Sequence, residues 1–311
     1  MKEDTLGRVL GSSIQGAVYV NEPLSRHTSL RIGGPASALV IPQDRADLVR
    51  LLRLARELNM PLHVVGQGSN LLVSDKGVDG IVVKTTRLRS VELRENRVRA
   101  EAGVLLARLA DAALSSNLIG MEFGAAIPGT VGGAVVMNAG VPGWGEFGDV
   151  VQRVYALDEG GRLAKFEGSE LGFGYRRSCL QQGGYVVTEV ELGLAEGDGA
   201  EARRRMLTLL RTRKLRQPVK QLNAGSIFKN PPGHSAGRLI EMAGCKGLRV
   251  GAAEVSPTHA NFIVNKGGAR AEHVLMVIRR VREAVYRKTG IMLECEVRFL
   301  GFDCGDLRDV V

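Results

Sequence analysis

The chain has 311 residues, enough for two domains and an ample core, and its 44% hydrophobic and 24% charged content is that of an ordinary globular protein. The formal net charge of +9 is spread along the chain. With only 5% aromatic residues to stack bases and no nucleic-acid motif, it argues for small anionic substrates such as nucleotide diphosphates and against nucleic acid. Four cysteines without CxxC spacing or partnering histidines argue against a metal site. The lack of an apolar leader or an 18-residue apolar run predicts a cytoplasmic protein that does not span a membrane.

In chain order, leucines at helical spacing predict a helix over residues 46–58, and apolar runs predict strands over 62–66 and 81–84. Between those strands lies Gly66-Gln67-Gly68-Ser69-Asn70. Its amides, the Ser69 hydroxyl and the Asn70 carboxamide can cradle a phosphate. The loop lacks the third glycine of a dinucleotide fingerprint and the Gly-Lys-Ser/Thr of a P-loop, so a plain strand-to-strand turn is an equal reading. Residues 90–102 read as a hairpin turning at Glu95-Asn96, and residues 104–118 as a helix. A glycine-rich segment follows, with Gly129, Thr130, Gly132 and Gly133 and then Asn138, Ala139 and Gly140. It can offer backbone N–H groups to a pyrophosphate and let a flat ring lie close to the chain, or it can serve a tight helix–strand crossing. A second hairpin is predicted over 151–166, turning at Gly160-Gly161, and Tyr175, Arg176 and Arg177 come next. A guanidinium there can hold an anionic or enolate-like oxygen.

Residues 185–194 alternate as a strand, and Gly197 to Gly199 mark a boundary near residue 200. Beyond it, residues 203–216 form a helix with one apolar and one basic face. The run Asn-Ala-Gly-Ser-Ile-Phe-Lys-Asn-Pro at 223–231 is the most informative of the chain. Gly225 can bend the backbone to present Ser226, Lys229 can hold a positive charge near that hydroxyl, and Asn230 can donate or accept. The competing reading makes Ser226 a helix N-cap. A strand at 262–265, a helix at 271–288 and a strand at 295–300 close the pattern, the last placing Glu294, Glu296 and Arg298 on one face. The tail at 304–311 reads as a loose end. Several hairpins among helices give an α+β or α/β protein, not a single doubly wound parallel sheet.

The order of these motifs, GxGSNLL, IPGTVGGAxxMNAG, GYR, AGSIFKNP and EVRF, with His27-Thr28-Ser29-Leu30-Arg31-Ile32-Gly33-Gly34-Pro35-Ala36 near the start, closely resembles the UDP-N-acetylenolpyruvoylglucosamine reductase family over about residues 20–302. The resemblance implies an α+β fold. It would have a vanillyl-alcohol-oxidase-type (PCMH-type) FAD-binding domain at 1–202, made of two α+β subdomains at about 1–85 and 86–202. A substrate-binding domain at 203–311 would follow, whose last strand and tail could return to the FAD domain. It implies FAD diphosphate on residues 66–70 and 129–133, with Asn138, Ala139 and Gly140 beside it, and NADPH as co-substrate. Hydride would pass by way of FAD to C3 of the enolpyruvyl group of UDP-N-acetylglucosamine enolpyruvate. The resemblance makes Ser226 the acid that protonates C2, with Arg176 and Glu296 polarising the carboxylate and stabilising the enolate-like intermediate. Tyr175, Arg211, Lys214, Lys229, Asn230 and His259 fall where the family contacts its substrate. About fifty residues separate Arg176 from Ser226, which leaves no room for the inserted tyrosine loop of the longer subclass.

The runner-up is an oxidase of the same flavin fold acting on a small alcohol, which leaves Ser226, Arg176 and Glu296 unexplained together. No histidine stands in the expected flavin loops, since His63 lies in a strand and His27 in the N-terminal motif, so FAD is expected to be non-covalent. The sequence leaves the oligomeric state open, with a monomer preferred.

Overall fold

Three hydrophobic cores organise the chain, whose computed structural model describes residues 3–310. It forms two compact units. The first holds Met1–Asn21, Ser37–Gln67 and Gly80–Thr212, and the second Glu22–Ala36, Gly68–Asp79 and Arg213–Val311.

The first unit contains two of the cores. In one, helices Glu3–Ser13 and Arg45–Glu57 lie with a four-stranded sheet ordered Ala17–Pro23, Pro35–Ile41, Val78–Lys84 and Leu62–Val65. The helix Arg45–Glu57 forms because Leu48, Leu51, Leu52 and Ala55 recur at helical spacing and are buried, while Asp44 caps its first turn through the amide of Asp47. Asp47 is itself buried. Burial pushes its carboxyl up, but the amides of Gln43, Gln15 and Gly16 and the Arg50 guanidinium outweigh this and hold it below the usual carboxylate range.

The other core of this unit lies under a five-stranded antiparallel sheet ordered Leu163–Glu167, Val151–Asp158, Tyr185–Gly193, Arg97–Glu101 and Val91–Arg94. Both expected hairpins are present, one turning at Glu95 with φ 50° and the other at Gly161 with φ 74°. Helices Leu106–Ser115 and Val131–Met137 add apolar faces to this core.

The second unit is built on a four-stranded antiparallel sheet ordered Leu222–Ser226, Phe262–Asn265, Ala253–Val255 and Arg249–Val250, with helices Ala236–Met242 and Ala271–Thr289. A short parallel pair joins Leu71–Val73 to Arg298–Leu300. The final strand is therefore shorter than the sequence suggests: residues 295–297 make one bridge, Phe228 with Cys295, and regular pairing begins at Arg298. Glu294 and Glu296 sit on this irregular stretch, not on a pleated face shared with Arg298.

The tail is also not a loose end. A short helix, Cys304–Leu307, leads to Val310, which is 0% exposed within the core of the second unit. Arg279 donates to the carbonyl of Asp306 at 2.5 Å, Arg282 to that of Asp309 at 2.7 Å, and the Cys295 thiol to that of Val310 at 3.3 Å. Two arginines of one helix thus fasten the main chain of the tail on either side of Leu307–Arg308. Among the described residues no helix is long and apolar enough to cross a membrane.

Candidate active site

The two glycine-rich loops meet in the first unit. A Cβ on Gly66 would lie 2.2 Å from the Thr130 hydroxyl, so only glycine admits this approach. Thr130 is 2% exposed, and its Oγ1 has no hydrogen-bond partner among the described residues. A buried hydroxyl left unpaired costs roughly 1–3 kcal/mol, so this atom suits a polar ligand group. The helix Val131–Met137 starts here, but the amides of Val131 and Gly132 are already spent on the carbonyls of Val104 and Ala102, at 2.9 Å each. Of the glycines expected to offer amides to an anion, Gly132 thus has its amide engaged within the protein. At Gly132 the missing Cβ serves packing instead, since one there would stand 2.9 Å from the Cβ of Ala102.

Asn138 ends that helix in the left-handed region, at φ 42° and ψ 56°, and is 0% exposed. Its Nδ2 donates to Glu146 Oε1 at 2.8 Å and to the Gly174 carbonyl at 2.9 Å, and its Oδ1 accepts from the Gly148 amide at 2.7 Å. Ala139 and Gly140 follow, with the Ala139 carbonyl accepting from the Phe147 amide and Gly140 pairing with Glu146.

Arg176 occupies the third position of a tight turn closed by the Arg177 amide on the Gly174 carbonyl at 2.9 Å, and its φ is 54°. Glycine or asparagine usually fills that position, and an arginine there stores roughly 1–3 kcal/mol of strain. The guanidinium lies 5.0 Å over the ring of Tyr175, itself 44% exposed, and donates to the carbonyls of Gly140 at 2.8 Å and Asn138 at 3.4 Å.

In the second unit, Ser226 ends the strand Leu222–Ser226, opposite Phe262. Gly225, at φ 75°, makes the irregularity between Asn223 and Ser226 that turns the serine. No helix follows until Ala236, so the N-cap reading is overturned. The segment after Ser226 runs beside the one carrying Glu296. The Glu296 amide donates to the Ile227 carbonyl and the Lys229 amide to the Glu294 carbonyl, each at 2.8 Å. Asn70 donates its side-chain amide to the Glu296 carbonyl at 3.0 Å, so this loop residue braces the carboxylate's backbone.

The other substrate-side candidates have partners of their own. Lys229 pairs with Glu294, and the Asn230 Oδ1 accepts from the Ala236 amide at 2.9 Å. Burial, then the Lys246 charge, pushes the His259 imidazole below its ordinary value, and its Nδ1 accepts from the Asn261 amide at 3.2 Å. Arg211 and Lys214 are exposed on the helix Gly199–Arg216, the first assigned to the first unit and the second to the other. Ser226 and Glu296 thus share the second unit, while Arg176 belongs to the first.

Residues 36–167 match a family described as FAD binding domain, and residues 217–300 one described as UDP-N-acetylenolpyruvoylglucosamine reductase, C-terminal domain. A protein of that name from Moorella thermoacetica is 50% identical over 292 residues, covering 94% of this chain and 96% of the relative. The chain belongs to the UDP-N-acetylenolpyruvoylglucosamine reductase family. A further reductase from Caldanaerobacter subterraneus subsp. tengcongensis is 43% identical and covers 92% of the chain and 95% of its own length. The crystal structure of the reductase from Thermus caldophilus superposes with a TM-score of 0.79 at 41% identity, over 92% of this chain and 99% of that one.

The fold is accordingly an α+β FAD-binding domain together with the reductase family's C-terminal domain, and the cofactor is FAD. The unpaired Thr130 hydroxyl beside Gly66 fits that assignment. The internal roles of Asn70 and Asn138 were not visible in the sequence. The only signal was an asparagine just after a short helix, where the left-handed conformation is common.

Proposed function

We infer that this member of the family reduces the enolpyruvyl group of UDP-N-acetylglucosamine enolpyruvate to a D-lactyl ether, giving UDP-N-acetylmuramate for peptidoglycan synthesis, with NADPH as hydride source. The observation that carries the reading is the match to named reductases along 92–94% of the chain, both domains included. Bound FAD supplies the redox chemistry that connects NADPH to the enolpyruvyl double bond. The protein's part is orientation and electrostatics. Ser226 and Glu296 act on the substrate, and Gly66 and Thr130 serve the cofactor.

Hydride addition at C3 leaves carbanion character at C2, next to the carboxylate. A serine hydroxyl is a weak acid in water, and a basic carbanion is the kind of acceptor it can protonate. Gly225 turns the backbone so that Ser226 is presented at a strand end instead of being spent on a helix cap. Glu296, fastened by its amide to Ile227 and by its carbonyl to Asn70, lies on the segment beside Ser226. Its role, with Arg176, is to polarise the substrate carboxylate and stabilise the enolate-like charge. FAD is expected to be held without a covalent bond, because no histidine stands in the loops read as the flavin's, His27 lying in the N-terminal motif and His63 in the strand Leu62–Val65. Flavin left on acid-precipitated protein would argue the reverse.

The test is Ser226→Ala studied as two half-reactions. Flavin bleaching by NADPH should be unchanged. Reoxidation by the enolpyruvyl substrate should slow at least about 10²-fold, the scale of a lost general acid. Unchanged reoxidation would remove Ser226 from the chemistry.

A further inference from the structure

We propose that Asn138 is a positioning residue for Arg176, serving the substrate side of the reaction and not the cofactor cradle. The proposal rests on the reading of Arg176 as a residue that acts on substrate.

The Asn138 side chain has no surface to offer a ligand. It is 0% exposed, and both of its polar atoms are bonded inside the first unit, to Glu146, Gly148 and Gly174. Gly174 opens the turn whose third residue is Arg176. The guanidinium in turn reaches back to the Asn138 and Gly140 carbonyls, which closes a ring of contacts: Asn138 to Gly174, through the turn to Arg176, and back to Asn138. From the far side, Gln181 donates to the Arg176 carbonyl at 2.9 Å and to that of Val136 at 3.0 Å, tying the turn to the helix that Asn138 ends. An arginine at positive φ persists only where its surroundings over-determine it. The ring is that determination, and the Asn138 side chain links Gly174 to both Glu146 and Gly148. Without it the turn can relax and carry the guanidinium away.

The near-isosteric Asn138→Asp isolates this role. It keeps the acceptor for the Gly148 amide but sets an oxygen against the Glu146 carboxylate and the Gly174 carbonyl, which now meet it at 2.8 and 2.9 Å. Asn138→Gly, which keeps the left-handed backbone and deletes the amide, is the second variant. Holoenzyme of each is compared with wild type for flavin content, bleaching by NADPH and reoxidation by UDP-N-acetylglucosamine enolpyruvate. The expected result is retained flavin and bleaching within about twofold. Reoxidation should be about 10- to 100-fold slower in both variants, the scale of a misplaced positioning group. Adding Glu146→Gln to Asn138→Asp restores a donor–acceptor pair and should recover part of the loss. Reoxidation within twofold of wild type overturns the proposal. So does loss of flavin in both variants with both half-reactions falling together, which would return Asn138 to the cofactor cradle. A wild-type protein that the enolpyruvyl substrate does not reoxidise would instead overturn the functional reading, and the positioning role with it.

Discussion

Replacing Gly66 by alanine tests whether the two glycine loops are coupled through a single contact. The new Cβ would stand 2.2 Å from the Thr130 hydroxyl, more than an ångström short of ordinary contact, while the Thr130 Cβ would be 3.4 Å away and tolerable. Thr130 is buried, and it bridges Leu105 just before the helix Val131–Met137, so it has little room to retreat. Overpacking of this kind costs about 1–3 kcal/mol. Thr130→Ala alone should be nearly neutral without flavin, because the hydroxyl it removes makes no hydrogen bond among the described residues. In the double variant the offending atom is gone. The structure therefore predicts a coupling of about 1–3 kcal/mol in favour of the pair. Urea unfolding of the four proteins, with and without saturating FAD, measures it. FAD titration should show Thr130→Ala weakening the cofactor even where it spares the apoprotein. A Gly66→Ala protein as stable as wild type, or one that Thr130→Ala fails to rescue, would refute the reasoning.

Three further predictions come from other parts of the molecule. Burial depresses the His259 pKa in the folded state, so the unfolded chain binds more protons below about pH 6.5. The associated stability is complete above that pH and is lost as pH falls through the depressed value. Urea unfolding at pH 5 and 7 should show a smaller difference for His259→Gln than for wild type, and equal differences would contradict the assignment. Burial pushes the Cys295 thiol up to about 12, and the docked tail holds it through the Val310 carbonyl, so iodoacetamide should label exposed Cys304 well before Cys295. Val310→Asp forfeits roughly 1.5–3 kcal/mol of buried side chain and should raise Cys295 labelling about 10- to 100-fold by peptide mass spectrometry; an unchanged rate would mean the tail does not protect it. Asp47→Leu leaves three amide donors at Gln15, Gly16 and Gln43 without their acceptor and should cost about 3 kcal/mol or more in thermal or urea unfolding, while a loss under 1 kcal/mol would contradict the network.

Local pattern revealed most of the elements because their signals are local. The helix Arg45–Glu57 follows from leucine spacing, and the hairpins follow from turns at Glu95 and Gly161. What the sequence missed depends on distant partners. Ser226 looks like a helix cap until Phe262 is found opposite it, and Lys229 looks like an aid to that hydroxyl until Glu294, sixty-five residues on, pairs with it. Residues 295–297 carry strand-like composition, yet the amides of Glu296 and Val297 both turn to the Ile227 carbonyl in place of a regular ladder. The tail is short and carries charges at Asp306, Arg308 and Asp309, and what fastens it is distant in sequence, arginines on the helix Ala271–Thr289. Asn138 and Asn70 read as ligand contacts because amides suit ligands. The structure adds internal partners that the sequence did not show, the Gly174 carbonyl for the Asn138 amide and the Glu296 carbonyl for the Asn70 amide.

The most direct test of the central claim is an anaerobic stopped-flow trace at the flavin absorption band. Wild-type holoenzyme is reduced with one equivalent of NADPH and mixed with UDP-N-acetylglucosamine enolpyruvate, with UDP-N-acetylglucosamine as the control that lacks the double bond. The account predicts fast return of the yellow form with the enolpyruvyl compound and a bleached flavin with the control. A flavin that stays bleached with both, and is reoxidised only by oxygen, would contradict it and point to an oxidase on the same fold.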